Sequence, residues 1–133
     1  MRRVVAGIVA GLIVWIVVAT AVNLSFRALW PGYSEAELAT KFTHAMLFGR
    51  LLLGALSSLC AGFALASIAK GNARAVIVLG VLLTILFIPI HYKLWGNFPV
   101  AYHLTFLFSL VPMTLLGARL KRPWPIDRQG ATT

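Results

Sequence analysis

Acidic side chains are nearly missing from this chain: three Asp and Glu stand against twelve Lys and Arg in 133 residues. They are Glu35, Glu37 and Asp127, and none lies within an apolar run. No hydrolase constellation can be assembled from apolar runs without carboxylates, and no serine has a recognisable base beside it. Cysteine is limited to Cys60, which excludes an intramolecular disulfide and a CxxC redox centre. A Gly-rich phosphate loop is also absent from the sequence. These gaps point to a protein that is not an enzyme.

What fills the chain instead is apolar residue: 60% of it is hydrophobic and 11% charged, with a mean hydropathy of +0.90. A soluble globule of this length does not have that composition. About 20 apolar residues cross the hydrocarbon layer as a helix, and four such runs cover about 4–22, 45–69, 75–91 and 98–118. The expected fold is an all-α membrane protein, a four-transmembrane-helix antiparallel bundle with a short amphipathic outer loop helix. Residues 1–122 form the four-span membrane domain and 123–133 a polar C-terminal tail.

The net charge of +9 sits as single or paired basic residues between the apolar runs, which fits a bilayer and not nucleic acid. With the N-terminus in the cytoplasm, Arg2, Arg3, Lys70, Arg74, Arg119, Lys121, Arg122 and Arg128 fall on the inner side and Arg27, Lys41 and Lys93 on the outer. Eight against three sets both termini inside. The expected location is the inner (plasma) membrane, multi-pass.

The first run opens Met1-Arg2-Arg3 and closes Ala19-Thr20-Ala21, as a cleavable secretory signal would. Its length and the GxxxG pair Gly7 and Gly11 favour an uncleaved packing helix. In the second run Gly54, Ser57, Ser58, Ala61 and Gly62 share a face with Arg50. Gly54, Ser58, Gly62 and, in the third run, Gly80 are read with Gly7 and Gly11 as helix-packing positions. Between the first two runs, Pro31-Gly32 marks a turn and Ser34 with Glu37 spells an S-x-x-E capping box for the loop helix. Pro89 frees the carbonyl of Ile85, and Pro112 is expected to kink the fourth helix.

The segments R-L-L-L-G in the second run, H-Y ending the third, F-P-V-A-Y-H opening the fourth and V-P-M-T-L-L-G-A closing it resemble the small four-helix inner-membrane proteins of bacteria. That resemblance implies a fold and no activity. The small multidrug exporters are similar in length and span number, but they need an intramembrane glutamate that this sequence lacks.

Arginine inside a span is costly and marks a candidate site. Arg50 lies near the outer end of its run, where snorkelling lowers that cost. Its possible partners are Glu35 or Glu37 from the loop, the Ile85 carbonyl, or an anionic ligand. His44, His91 and His103 fall at the outer ends of three runs, with Tyr102 beside the last. Arg50, His44, His91, His103 and Tyr102 are therefore the candidate ligand-binding residues. The expected role is a non-enzymatic accessory or interaction protein whose outer-leaflet polar pocket takes an anionic lipid or small amphiphile, with no cofactor.

Two alternatives stay open. Imidazole is a common metal and haem ligand, so His44, His91 and His103 could hold a metal, or a pair of them a haem. The chain could also act as a small-solute transporter or channel in an oligomer. The expected partners are the lipid bilayer, possible copies of itself, or a larger membrane complex.

Overall fold

The computed structural model describes residues 1–70 and 72–121. The polar tail 123–133, Arg122 and Gly71 lie outside the described residues. The regular structure among the described residues is all helix: α1 (Arg2–Leu29), α2 (Tyr33–Ala39), α3 (His44–Ile68), α4 (Ala73–Lys93) and α5 (Val100–Lys121). Among the described residues α1, α3, α4 and α5 are long and apolar enough to cross a membrane.

Two of these helices begin on side-chain caps. Thr43 Oγ1 accepts the Met46 amide at 3.2 Å ahead of α3, and Asn72 Oδ1 accepts the Ala75 amide at 3.2 Å ahead of α4. Pro89 and Pro112 sit inside α4 and α5, each of which continues past its proline.

The segment after the first apolar run departs from the sequence reading. Helix α1 does not end at Val22 but continues to Leu29, because Phe26 and Trp30 pack beside Gly49 of α3 and extend the contact by nearly two turns. The capping box is not formed either. Gly32, at φ 81°, is the N-cap of α2 and gives no side-chain bond, which leaves Ser34 inside the helix. Glu37 turns its carboxylate toward α1 instead.

Small residues set the helix spacing. Gly7 lies beside Leu65 and Ala69, and Gly11 beside Leu79 and the Ala61 carbonyl. The start of α1 thus meets the end of α3, while Phe26 and Trp30 at its other end meet the start of α3. Between α3 and α5 the approach is closer still: a Cβ on Gly62 would run into the Thr114 carbonyl, and one on Gly117 into that of Leu59. Gly54 faces the Phe106 ring and Gly80 the Val111 backbone. Such close backbone approach lets the helices pack through van der Waals contact.

Trp15, Leu65, Val76, Leu79, Leu83, Phe106 and Leu110 fill the core. Polar atoms there are satisfied locally: Ser57, Ser58 and Thr114 each donate to the carbonyl four residues earlier. Ser58 Oγ also accepts the Trp15 indole N–H at 3.0 Å, tying α1 to α3. The outward faces remain apolar, with Ile16, Val17, Leu52, Ile85, Leu86 and Phe108 all exposed.

Candidate functional site

Two side-chain pairs at i, i+4 spacing face each other where α1 ends and α2 begins. Asn23 and Arg27 share one face of α1, and Tyr33 and Glu37 one face of α2. The Tyr33 hydroxyl donates to Asn23 Oδ1 at 2.7 Å, and Asn23 Nδ2 donates to Glu37 Oε2 at 3.0 Å. Arg27 Nη2 pairs with Glu37 Oε1.

Arg50 completes this group from α3. Its Nη1 donates to the Tyr33 hydroxyl at 2.8 Å and lies 3.8 Å from Glu37 Oε2. Its Nε donates to the Tyr102 hydroxyl of α5 at 3.4 Å, and its guanidinium carbon sits 4.8 Å from the centre of the Phe42 ring. Burial raises the Tyr33 hydroxyl above the ordinary tyrosine value of 10.0, although Arg50 pulls the other way. The phenol therefore keeps its proton and can donate to Asn23 while accepting from Arg50.

Of the partners available to Arg50, the loop carboxylate is the one that reaches it, and it does so at ion-pair and not hydrogen-bond distance. The two tyrosine hydroxyls make its side-chain hydrogen bonds, and Tyr33 lies outside every apolar run.

A cavity of about 400 Å³ opens below this group. Asn23, Arg27, Glu37 and Arg50 line its polar end with Thr20 beside them, and Trp15, Leu53, Phe87 and Phe106 its apolar end. Ala19 and Leu24 continue the lining along α1, so the groove follows that helix from Trp15 to Arg27, about 18 Å at helical rise. Two guanidiniums around one carboxylate leave the mouth with a net positive charge.

The other candidate residues lie behind or beside this cavity. His91 and His103 meet directly, Nδ1 to Nδ1 at 2.7 Å. Trp95 stacks on His103 with ring centres 4.9 Å apart, and Phe106 lies against His91 at 4.7 Å. His103 is fully buried and its Nε2 has no hydrogen-bond partner. Tyr102 packs against both histidines and joins them to Arg50.

His44 does not join them. It precedes Arg50 by six residues, a rotation that turns it about 120° away around α3, and it is exposed. The alternative of a three-histidine metal set is therefore not assembled; among the described residues no group of three His, Cys, Asp or Glu is placed to hold a metal ion. Nor do His91 and His103 fit as two ligands of one metal. Nitrogens bound to one zinc at about 2.0–2.1 Å lie roughly 3.3 Å apart at tetrahedral angles, whereas this pair shares a hydrogen bond.

No protein-family model matches the chain, and no curated protein or solved structure matches it. Fold and site define the class as a helical protein with four membrane-length helices and a cationic-mouthed cavity.

Proposed function

We propose that the chain is a multi-span protein of the bacterial inner membrane, an antiparallel four-helix bundle with both termini in the cytoplasm and α2 lying at the outer surface. Its role is non-enzymatic binding of an anionic lipid or small amphiphile, as an accessory or interaction protein. The observation that carries this reading is the cavity with Arg27 and Arg50 at its mouth and Trp15, Phe87 and Phe106 in its depth. Such a shape suits a molecule with an anionic head and an apolar tail. The distribution of basic residues between loops supports the orientation.

Transport is the less favoured reading. Beyond the cavity, toward Lys70, the interior closes over Ala61, Leu65, Leu79 and Leu110, which are almost fully buried. A solute would find no polar path through that layer among the described residues.

Native mass spectrometry of protein extracted with its lipid tests the binding reading. Wild type is expected to carry an anionic amphiphile that Arg50→Leu loses while keeping its helical content. An unchanged bound-lipid profile in the folded variant counts against a binding role for Arg50.

A further inference from the structure

The cavity mouth already holds an anion of its own. Glu37 places one carboxylate oxygen on Arg27 and the other on Asn23 Nδ2, the latter also 3.8 Å from Arg50. The donors thus serve two oxygens in the arrangement a carboxylate requires. The Tyr33 hydroxyl beside them donates to Asn23 and accepts from Arg50.

Glu37 is also free to leave. Its side chain is 22% exposed, so rotation about its own torsions takes the carboxylate to the surface, where an ionised group is solvated. The vacated seat then holds two guanidiniums and an amide N–H at the head of a groove that runs down α1. At about 400 Å³ that groove has room for one slender apolar chain.

We infer that Glu37 is a resident stand-in for the ligand's head group, and that the ligand is a single-chain carboxylate, a fatty-acid-like amphiphile whose head displaces Glu37 from Arg27 and Asn23. This rests on the amphiphile-binding reading above and names the ligand class for that same cavity. Exchange of one carboxylate for another leaves the charge of the seat unchanged, so binding requires no compensating ion. Glu37 then limits affinity as a tethered competitor, and the occupied state differs from the empty one in where a single side chain lies.

The test uses the full-length protein in nonionic detergent with cis-parinaric acid, a fluorescent fatty acid, as probe. Chain-matched dodecanoate, dodecyl phosphate and dodecyl sulfate serve as displacing ligands. Wild type is expected to bind the probe and to release it to dodecanoate several-fold more readily than to the other two. Glu37→Gln, which keeps the shape and removes the charge, is expected to bind the probe about three- to tenfold more tightly. Asn23→Ala removes a donor from the seat and is expected to weaken binding.

Equal or weaker binding by Glu37→Gln overturns the displacement idea, because Glu37 then serves to hold the arginines, while the amphiphile reading stands. Equal or better displacement by dodecyl phosphate or sulfate overturns the carboxylate assignment. If neither wild type nor Glu37→Gln binds any of these probes, the amphiphile reading itself fails. Should Glu37→Gln not fold, Glu37→Asp, whose shorter arm spans the seat poorly, is expected to show a smaller gain in affinity, and an unchanged or reduced affinity overturns the proposal.

Discussion

The Nδ1 atoms of His91 and His103 lie 2.7 Å apart, so one ring donates a proton that the other accepts. The unpartnered Nε2 of His103 decides which. A buried N–H without an acceptor costs more than a bare ring nitrogen, so His103 carries its proton on Nδ1 and donates to His91. A spectrum of ¹⁵N-labelled histidine near neutral pH is expected to show His103 protonated at Nδ1 and His91 at Nε2. The opposite pair of tautomers would show that His103 Nε2 has found a partner.

That same bond couples α4 to α5. His103→Phe leaves the His91 nitrogen without its partner and is expected to destabilise the fold by about 1–3 kcal/mol. His91→Phe with His103→Phe is expected to cost less than the two single changes added together, by roughly 1 kcal/mol. Unfolding of the four proteins in mixed micelles measures this coupling, and strict additivity would mean the bond contributes nothing.

Gly62 and Gly96 make a contrasting pair. A methyl group at Gly62 meets the Thr114 carbonyl across the α3–α5 contact, while at Gly96 it meets nothing within 4 Å. Gly62→Ala is expected to cost about 1–3 kcal/mol by overpacking, with Gly96→Ala near neutral. Thermal stability of the two variants in detergent checks the difference.

The bond from the Trp15 indole to Ser58 joins α1 to α3 within the core. Interhelical hydrogen bonds of this type average about 0.6 kcal/mol and reach about 1.7 in membrane helices. Ser58→Ala is expected to lose an amount in that range. A larger loss would mean that Ser58 also sets the helix spacing.

Tyr33 gives a pH dependence. Its hydroxyl titrates above the ordinary value of 10.0 in the folded chain, chiefly through burial. Between those two values the unfolded chain has released a proton that the folded chain keeps, so stability is expected to fall as pH rises through the window above about 10. Tyr33→Phe is expected to remove that alkaline loss, measured as melting temperature against pH. A parallel alkaline decline in the variant would assign the effect to other groups.

The membrane-length helices were legible in the sequence because their signal is cumulative: each rests on some twenty apolar residues, and shifting a boundary by two changes little. The site was less legible. Arg50 stands out as an arginine in an apolar run, but nothing in the sequence singles out its closest partner, Tyr33. Asn23 and Arg27 lie beyond the apolar run that ends at 22, and packing of Phe26 and Trp30 on Gly49 keeps α1 helical through them. The i, i+4 spacing of Asn23 with Arg27 and of Tyr33 with Glu37 was the available clue. It becomes readable once both pairs are known to be helical. The meeting of His91 with His103 and the departure of His44 depended on helix rotation, which hydropathy does not encode.

The extension of α1 to Leu29 also fixes a height. At 28 residues the helix is about 42 Å long, against about 30 Å for the hydrocarbon of a typical bilayer. In a chain that spans the membrane, the last turns of α1 act as a post that lifts Asn23 and Arg27 to the headgroup level while Trp15 stays among the acyl chains. Removing four residues between Trp15 and Asn23 would lower that post by about 6 Å and draw the charged mouth into hydrocarbon, so the length of this segment is under as much constraint as its composition.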